Sequence, residues 1–408
     1  MKKILGLSLL ITSSVFIGCS DNNTDINPET EITAAKTKFV TNYVNIVAAN
    51  YNDALAKTKE LKTAIDAFVA APDANKFQAA KDAWLASREP YGQTEVYRFY
   101  DGPIDGVAFG EIEGNLNAWP LDEALIDYVA DGTGGQEVSD TRQNLVNNTD
   151  KYPTLTKDVL KNLSGYGENE SNVTMGYHAI EFLLWGQDTT APAEKKAGQR
   201  MYTDYTTATN ASRRKQYLQL AVEILVDDLQ TVTNNWKNGA AYRNEFLSLS
   251  KNDAIDKILT GAAKLSNGEL AGERMLVAVK NQDQEDEHSC FSDNTHNDIY
   301  LNAKSINNII NGSYTKVDGS VISGTSLLDV LTLVNTTEAV SLKTTAATVM
   351  TKVKVIANNQ FFDYQIIGET IDNNNKPVMS AVTSLEKQGI ELAQAGKTIT
   401  GKNIDSEV

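Results

Sequence analysis

From Val40 onward, apolar residues return every three or four positions: Val40, Tyr43, Val44 and Val47, then Leu55, Leu61, Ile65 and Phe68. That repeat is one face of an α-helix, and each such stripe has to be buried against another helix. Pro72-Asp73 ends this first helix, and Asp73 is placed to cap a second that runs through Phe77, Ala80 and Trp84 towards Arg88. Tyr217, Leu220, Ala221, Ile224, Val232 and Trp236 predict a long helix, and residues 253–265, 327–355 and 378–395 predict more. Alternation with period two is almost absent. The reading is an all-α protein of two packed helical-bundle halves.

The helical repeat breaks between residues 89 and 120. YDGPIDGVAFGEIEGNLNAWP is rich in glycine and proline, and its aromatic residues argue for a long ordered loop over residues 90–120. A second irregular, polar stretch at 188–212 suggests the boundary between halves. The N-terminal bundle would then cover 32–190 and the C-terminal bundle 191–408.

The start of the chain reads as an address, not as fold. Lys2 and Lys3 precede an apolar run from Ile4 to Ile17, too short for a membrane span, which needs about 20 residues. Phe16-Ile17-Gly18-Cys19 is similar to a bacterial lipobox, so residues 1–18 are expected to be a lipoprotein signal peptide and Cys19 the lipid anchor. Residues 19–31 form a polar, acidic tether. These features predict an exported lipoprotein held at the outer membrane, on either its periplasmic or its cell-surface face, with the membrane as a partner through lipidated Cys19. The only other cysteine is Cys290, which leaves it no intramolecular disulfide once Cys19 is acylated. Across 408 residues the net charge is −16, without a run of lysine or arginine. Nucleic acid and anionic lipid are therefore poor partners.

Two segments carry candidate chemistry. GYHAIEFLLWGQD places His178 and Glu181 three positions apart, on one helix face, among apolar residues. The pair suits either a metal chelate or a hydrogen bond that fixes the imidazole. DQEDEHSCFSDNTHNDIY, residues 283–300, gathers Asp286, His288, Ser289, Ser292, Asp293 and His296, including both remaining histidines. Its oxygen and nitrogen donors suit a hard or borderline cation, iron or zinc, divalent or ferric. The competing reading is a network of caps for a helix starting near Thr295, formed by Ser292, Asp293 and Asn294. The candidate metal residues are His178, Glu181, His288, Asp293 and His296. Arg88, Glu95, Ser289, Ser292 and Asp286 are candidate supports. Arg88, Glu95 and Arg98 flank the loop, and surface pairing is their expected role, with a buried network as the alternative. Neither a GxSxG elbow nor a glycine-rich phosphate loop is present. Cys290 beside Phe291 reads as core.

On these residues the chain resembles the imelysin family, the M75 peptidases. GYHAIE matches the family's GxHxxE motif and EDEHSCFSDNTHND its other signature. Trp84-x-x-x-Arg88 with Glu95, the Phe99 to Asp105 segment, Trp119-Pro120-Leu121 and Gly272-Glu273-Arg274-Met275 agree in order. The resemblance implies two bundle-like helical halves with His178 and Glu181 near their interface. It implies a bacterial envelope protein linked to iron acquisition, with iron-uptake components as partners. Some relatives are described as proteases, so an M75-type peptidase in which His178 and Glu181 are catalytic stays open. So does a non-catalytic surface binding or adhesion module.

Overall fold

The computed structural model describes residues 27–129, 144–372 and 375–407. The signal peptide, Cys19 and most of the tether lie outside these described residues. Among them, no helix is long and apolar enough to cross a membrane.

The first helix, Pro28–Ala70, is 43 residues long and so spans about 65 Å. Asn27 caps it, its side chain accepting from the Glu29 amide, and it stops just before Pro72. Asp73 caps the next helix, Ala74–Tyr91, through the Lys76 amide, as the sequence predicts. These two helices pack along each other, and Ala211–Trp236 also packs along the first. The short helix Gly176–Trp185 sits between Ala74–Tyr91 and Ala211–Trp236. All ten of its residues are buried, which is why its sequence is apolar on every side.

A second group of helices comprises Lys251–Lys264, Thr295–Asn311, Thr336–Asn359 and Pro377–Thr400. Between Lys264 and Val277 the backbone is a π-helix, Leu265–Leu276, packed on Pro377–Thr400. A two-stranded antiparallel hairpin, Ser313–Thr315 with Val321–Ser323, follows Thr295–Asn311. The groups share one continuous apolar core. They also interleave along the chain: Ala211–Trp236, C-terminal to the expected boundary, packs on the first helix. Lys36 closes the molecule end to end, donating to the Ile399 carbonyl at 2.7 Å and to Asn252 Oδ1 at 2.8 Å.

Residues 92–126 form an ordered loop of short helical turns. It buries Tyr97, Tyr100, Ile104, Ile112 and Leu116 against the first helix group and Lys251–Lys264. Gly261 admits the loop, because a Cβ there would lie 2.6 Å from the Val96 carbonyl oxygen.

Candidate functional site

Gly176 opens the helix that carries His178 and Glu181. It has φ +88°, and a Cβ would lie 2.7 Å from the carbonyl oxygens of both Asn115 and Leu116. Only glycine combines a left-handed backbone with that approach. The contact fixes the end of the 92–126 loop, and hence Asn117 and Trp119, over the motif helix.

His178 Nδ1 and Glu181 Oε2 are 2.8 Å apart, and both side chains are fully buried. Glu181 Oε1 accepts from the Ser292 amide at 2.9 Å and the Ser292 hydroxyl at 2.6 Å. Burial pushes Glu181 up to about 8 despite the Ser292 donors, and burial with nearby Arg88 holds His178 well below its ordinary value. Both members of the pair are therefore neutral at neutral pH. The other ring nitrogen, His178 Nε2, is buried without a hydrogen-bond partner. Its ring packs edge-on to Trp119, at 5.2 Å between centroids, and to His288, at 4.7 Å.

His288 belongs to a buried network drawn from three parts of the chain. Asn117 Nδ2 lies 3.3 Å from His288 Nε2 and 3.2 Å from Glu95 Oε1. An amide N–H facing Nε2 puts the His288 proton on Nδ1, which is 3.7 Å from Asp298 Oδ2, too long for a hydrogen bond. Burial lowers His288 to about 3, so it too is neutral. Arg88 clamps Asp298 with Nε at 3.2 Å and Nη2 at 3.1 Å, and gives Nη1 to Asn117 Oδ1 at 2.6 Å. Its guanidinium lies about 5 Å from the ring centres of Trp84, Tyr91 and Tyr177. Burial alone would raise Asp298, but Arg88 and His288 more than offset it and hold it far below the carboxylate range. Glu95 accepts from Arg98 at 2.9 Å and from Arg274 at 2.7 Å, which bring it down to about 2 against its burial. Surface pairing of Arg88 and Glu95 is thus corrected: both are buried, because their partners come from loop and helix segments that cover them.

The cap reading of the 283–298 segment is corrected as well. Asn294 stands at the N-cap of Thr295–Asn311 but makes no side-chain cap bond. Its amide reaches Asp298 at 3.3 Å, Ser289 donates to Asp298, and Ser292 is taken by Glu181. The side chains that would cap the helix hold the buried carboxylates instead.

Beside the network a cavity of about 690 Å³ opens to solvent. His288, Asn117 and Trp119 line it, with Arg98 and Arg274. His178 does not; it lies behind Trp119 and His288. Six carboxylate side chains and three cationic ones share the walls, Asp286 and Glu285 among the acids. Arg98 and Arg274 are already paired with Glu95 and Glu269, and Arg98 also lies 3.4 Å from Glu113. Burial raises Glu285 to about 8, so it keeps its proton, but the other carboxylates still outnumber the cations and the cavity is electronegative.

Of the residues proposed from sequence, the structure brings together His178, Glu181, His288, Ser289, Ser292, Arg88 and Glu95. It places Asp286 on the cavity wall, 2.7 Å from Asn281 Nδ2. Asp293 and His296 face a different cavity, on the other side of the segment. Cys290 is a buried free thiol in the core. Asn117, which joins Arg88, Glu95 and His288, carried no sequence signal. Asp298 was visible only as one acid among many. Among the described residues, no three His, Cys, Asp or Glu side chains converge to hold a metal ion. The reason is local: Glu181 and Asp298 are committed to Ser292 and Arg88, His178 is sealed from the cavity, and His288 Nε2 faces the Asn117 amide.

Comparison with known proteins agrees with this picture. The family model for imelysin matches residues 47–392. Iron-regulated protein A from Synechococcus elongatus is 23% identical over 319 residues, covering 76% of this chain and 71% of its own. In shape, the chain is similar to the crystal structure of an iron-regulated protein A precursor from Parabacteroides distasonis. That match has a TM-score of 0.68 at 18% identity and covers 90% of this chain and 96% of the other. An imelysin-like protein from Psychrobacter arcticum matches with a TM-score of 0.58 at 16% identity, covering 93% and 98%. With both signature segments meeting in one buried network, and a family match over most of its length, the chain belongs to the imelysin family.

Proposed function

We propose that this protein is an iron-linked binding protein of the bacterial envelope, and that its cargo is a small iron complex of neutral or positive charge held in the cavity beside His288. The lipobox-like segment ending at Cys19 supports the envelope location, and the relatives named for regulation by iron support the link to iron. One observation carries the binding reading: an electronegative cavity of about 690 Å³ abuts the buried network and has His288 on its wall. Sites for small molecules span about 300–1,000 Å³, far more than a bare ion fills. A single histidine on the wall is too little to enclose an ion, so the metal would arrive with ligands of its own. An excess of carboxylates disfavours an anionic complex.

Binding is favoured over hydrolysis by where the histidines sit. His178, the imidazole with a carboxylate partner, is sealed from the cavity, whereas a general base has to reach the proton it removes. The test is titration with the cationic tris(bipyridine) complex of ferrous iron and, in parallel, with anionic ferric citrate. Saturable binding of the cationic complex, lost in His288→Ala, is expected; ferric citrate should not bind. A folded protein that binds neither complex would overturn the proposal.

A further inference from the structure

The 283–298 segment has two faces. Its Glu285, Asp286 and His288 line the cavity just described, while Ser292, Asp293, Asn294, His296 and Asn297 line a second one of about 470 Å³. Leu85 and Phe361 give the second cavity an apolar flank. Asp293 is 5% exposed, and its Oδ2 has no hydrogen-bond partner. Burial is the main cause that pushes this carboxyl up to about 8, and Asp363, Asp188 and Glu181 add to it by like-charge repulsion. The cations nearby act elsewhere. Lys195, exposed at the rim, holds its Nζ 4.0 Å from the Tyr364 ring centre and acts on Asp363. Lys304 and Lys354 act on Glu89.

As an anion a buried, unpaired carboxyl is unfavourable, so Asp293 keeps its proton until a cation reaches it. The place for that partner is the cavity, which Asp293 lines together with neutral His296. An ammonium group supplies charge and three N–H donors, and an alkyl chain would lie on Leu85 and Phe361. We propose that this cavity is a second ligand site, one that binds a primary alkylammonium group with Asp293 as its anionic anchor. The first cavity need not be filled for this site to work.

The experiment is calorimetric titration of the protein with n-butylammonium chloride and with the neutral analogue n-butanol. Saturable binding of the amine and none of the alcohol is expected. Asp293→Asn should weaken the amine about tenfold or more, the size of a lost charge-assisted hydrogen bond. Asparagine tolerates the left-handed backbone at this position, φ +55°, so the variant should fold. Ala86→Trp, a substitution at an exposed residue lining the cavity, should block binding without touching Asp293. His288→Ala should leave amine binding unchanged, which separates this site from the iron-complex cavity. Equal binding of amine and alcohol, full affinity in Asp293→Asn, or no saturable binding to folded wild type would each overturn the proposal. So would zinc or calcium binding at Asp293 without amine binding.

Discussion

Arg88 and Asp298 are 210 positions apart, yet they form the most enclosed ion pair beside the site, each side chain 2% exposed. Removing one partner strands the other charge in the core, which costs about 3–5 kcal/mol, whereas replacing both with apolar residues of similar size costs far less. Asp298→Ala is therefore expected to lower unfolding free energy by about that amount in urea titration, and Arg88→Met with Asp298→Leu by much less. Equal losses in the two variants would rule out the stranded charge as the cause. At this scale the sequence was legible where partners are local. The spacing of His178 and Glu181 foretold their contact. It did not foretell that Trp119 and His288 would seal His178 from solvent, because those groups come from distant segments whose approach no local pattern encodes.

Two backbone features decide how the elements present these groups. The π-helix Leu265–Leu276, with its i→i+5 repeat, sets Glu269 and Arg274 five residues apart on one face, 2.8 Å from each other. Arg274 then reaches both Glu95 and Asn302. The sequence GELAGERMLVAVK reads as helical but does not reveal the wider turn, since apolar spacing in so short a stretch fits either. Gly176 is the other feature. Gly176→Ala forces a left-handed backbone on a residue with a Cβ and pushes it into two carbonyl oxygens. Strain of this kind costs about 1–3 kcal/mol before any displacement. The expected outcome is a loss of at least about 2 kcal/mol, with a shift in Trp119 fluorescence as the loop moves. An unchanged spectrum would show that Gly176 does not set the loop. The glycine of GxHxxE was visible in the sequence as a motif letter; its reason lies in the loop that crosses it.

Across the whole molecule, buried carboxyls fall into two classes. Asp298, Glu95 and Asp127 are held down by arginines, so their stabilisation is present above the ordinary carboxylate range and is lost as pH falls through it. Burial pushes Glu123 up to about 7, and Glu181, Glu285 and Asp293 to about 8. For these the native state keeps protons that the unfolded chain has released, so stability is lost as pH rises through their folded values. The three histidines are all lowered and work the other way, but their unfolded forms are largely discharged above about 6.5. Between pH 6.5 and 8 the raised carboxyls outweigh the remaining histidine contribution and that of Lys81, whose folded value burial lowers to about 8. Unfolding free energy is expected to fall across that window, by about 1.4 kcal/mol per pH unit for each proton held. Glu181→Gln should make the slope shallower. A flat profile from 6.5 to 8 would contradict the neutral state of these groups. Composition announced an acidic protein; which acids keep their protons depends on burial, and burial is set by the packing of all the helices together.

The bond from Lys36 to Ile399 gives the chain an order of assembly. A helix made among the first residues takes part of its final seat from the last turn of the last helix, 363 positions later. Closing a loop of that length costs about 5 kcal/mol of chain entropy. Contacts so far apart in sequence slow the search for the native state. Until the C-terminal helix is synthesised and docked, Lys36 lacks this acceptor, and Lys251–Lys264 and Leu265–Leu276 lack a helix they pack against. A growing chain therefore carries the apolar faces of those helices uncovered until its last residues arrive.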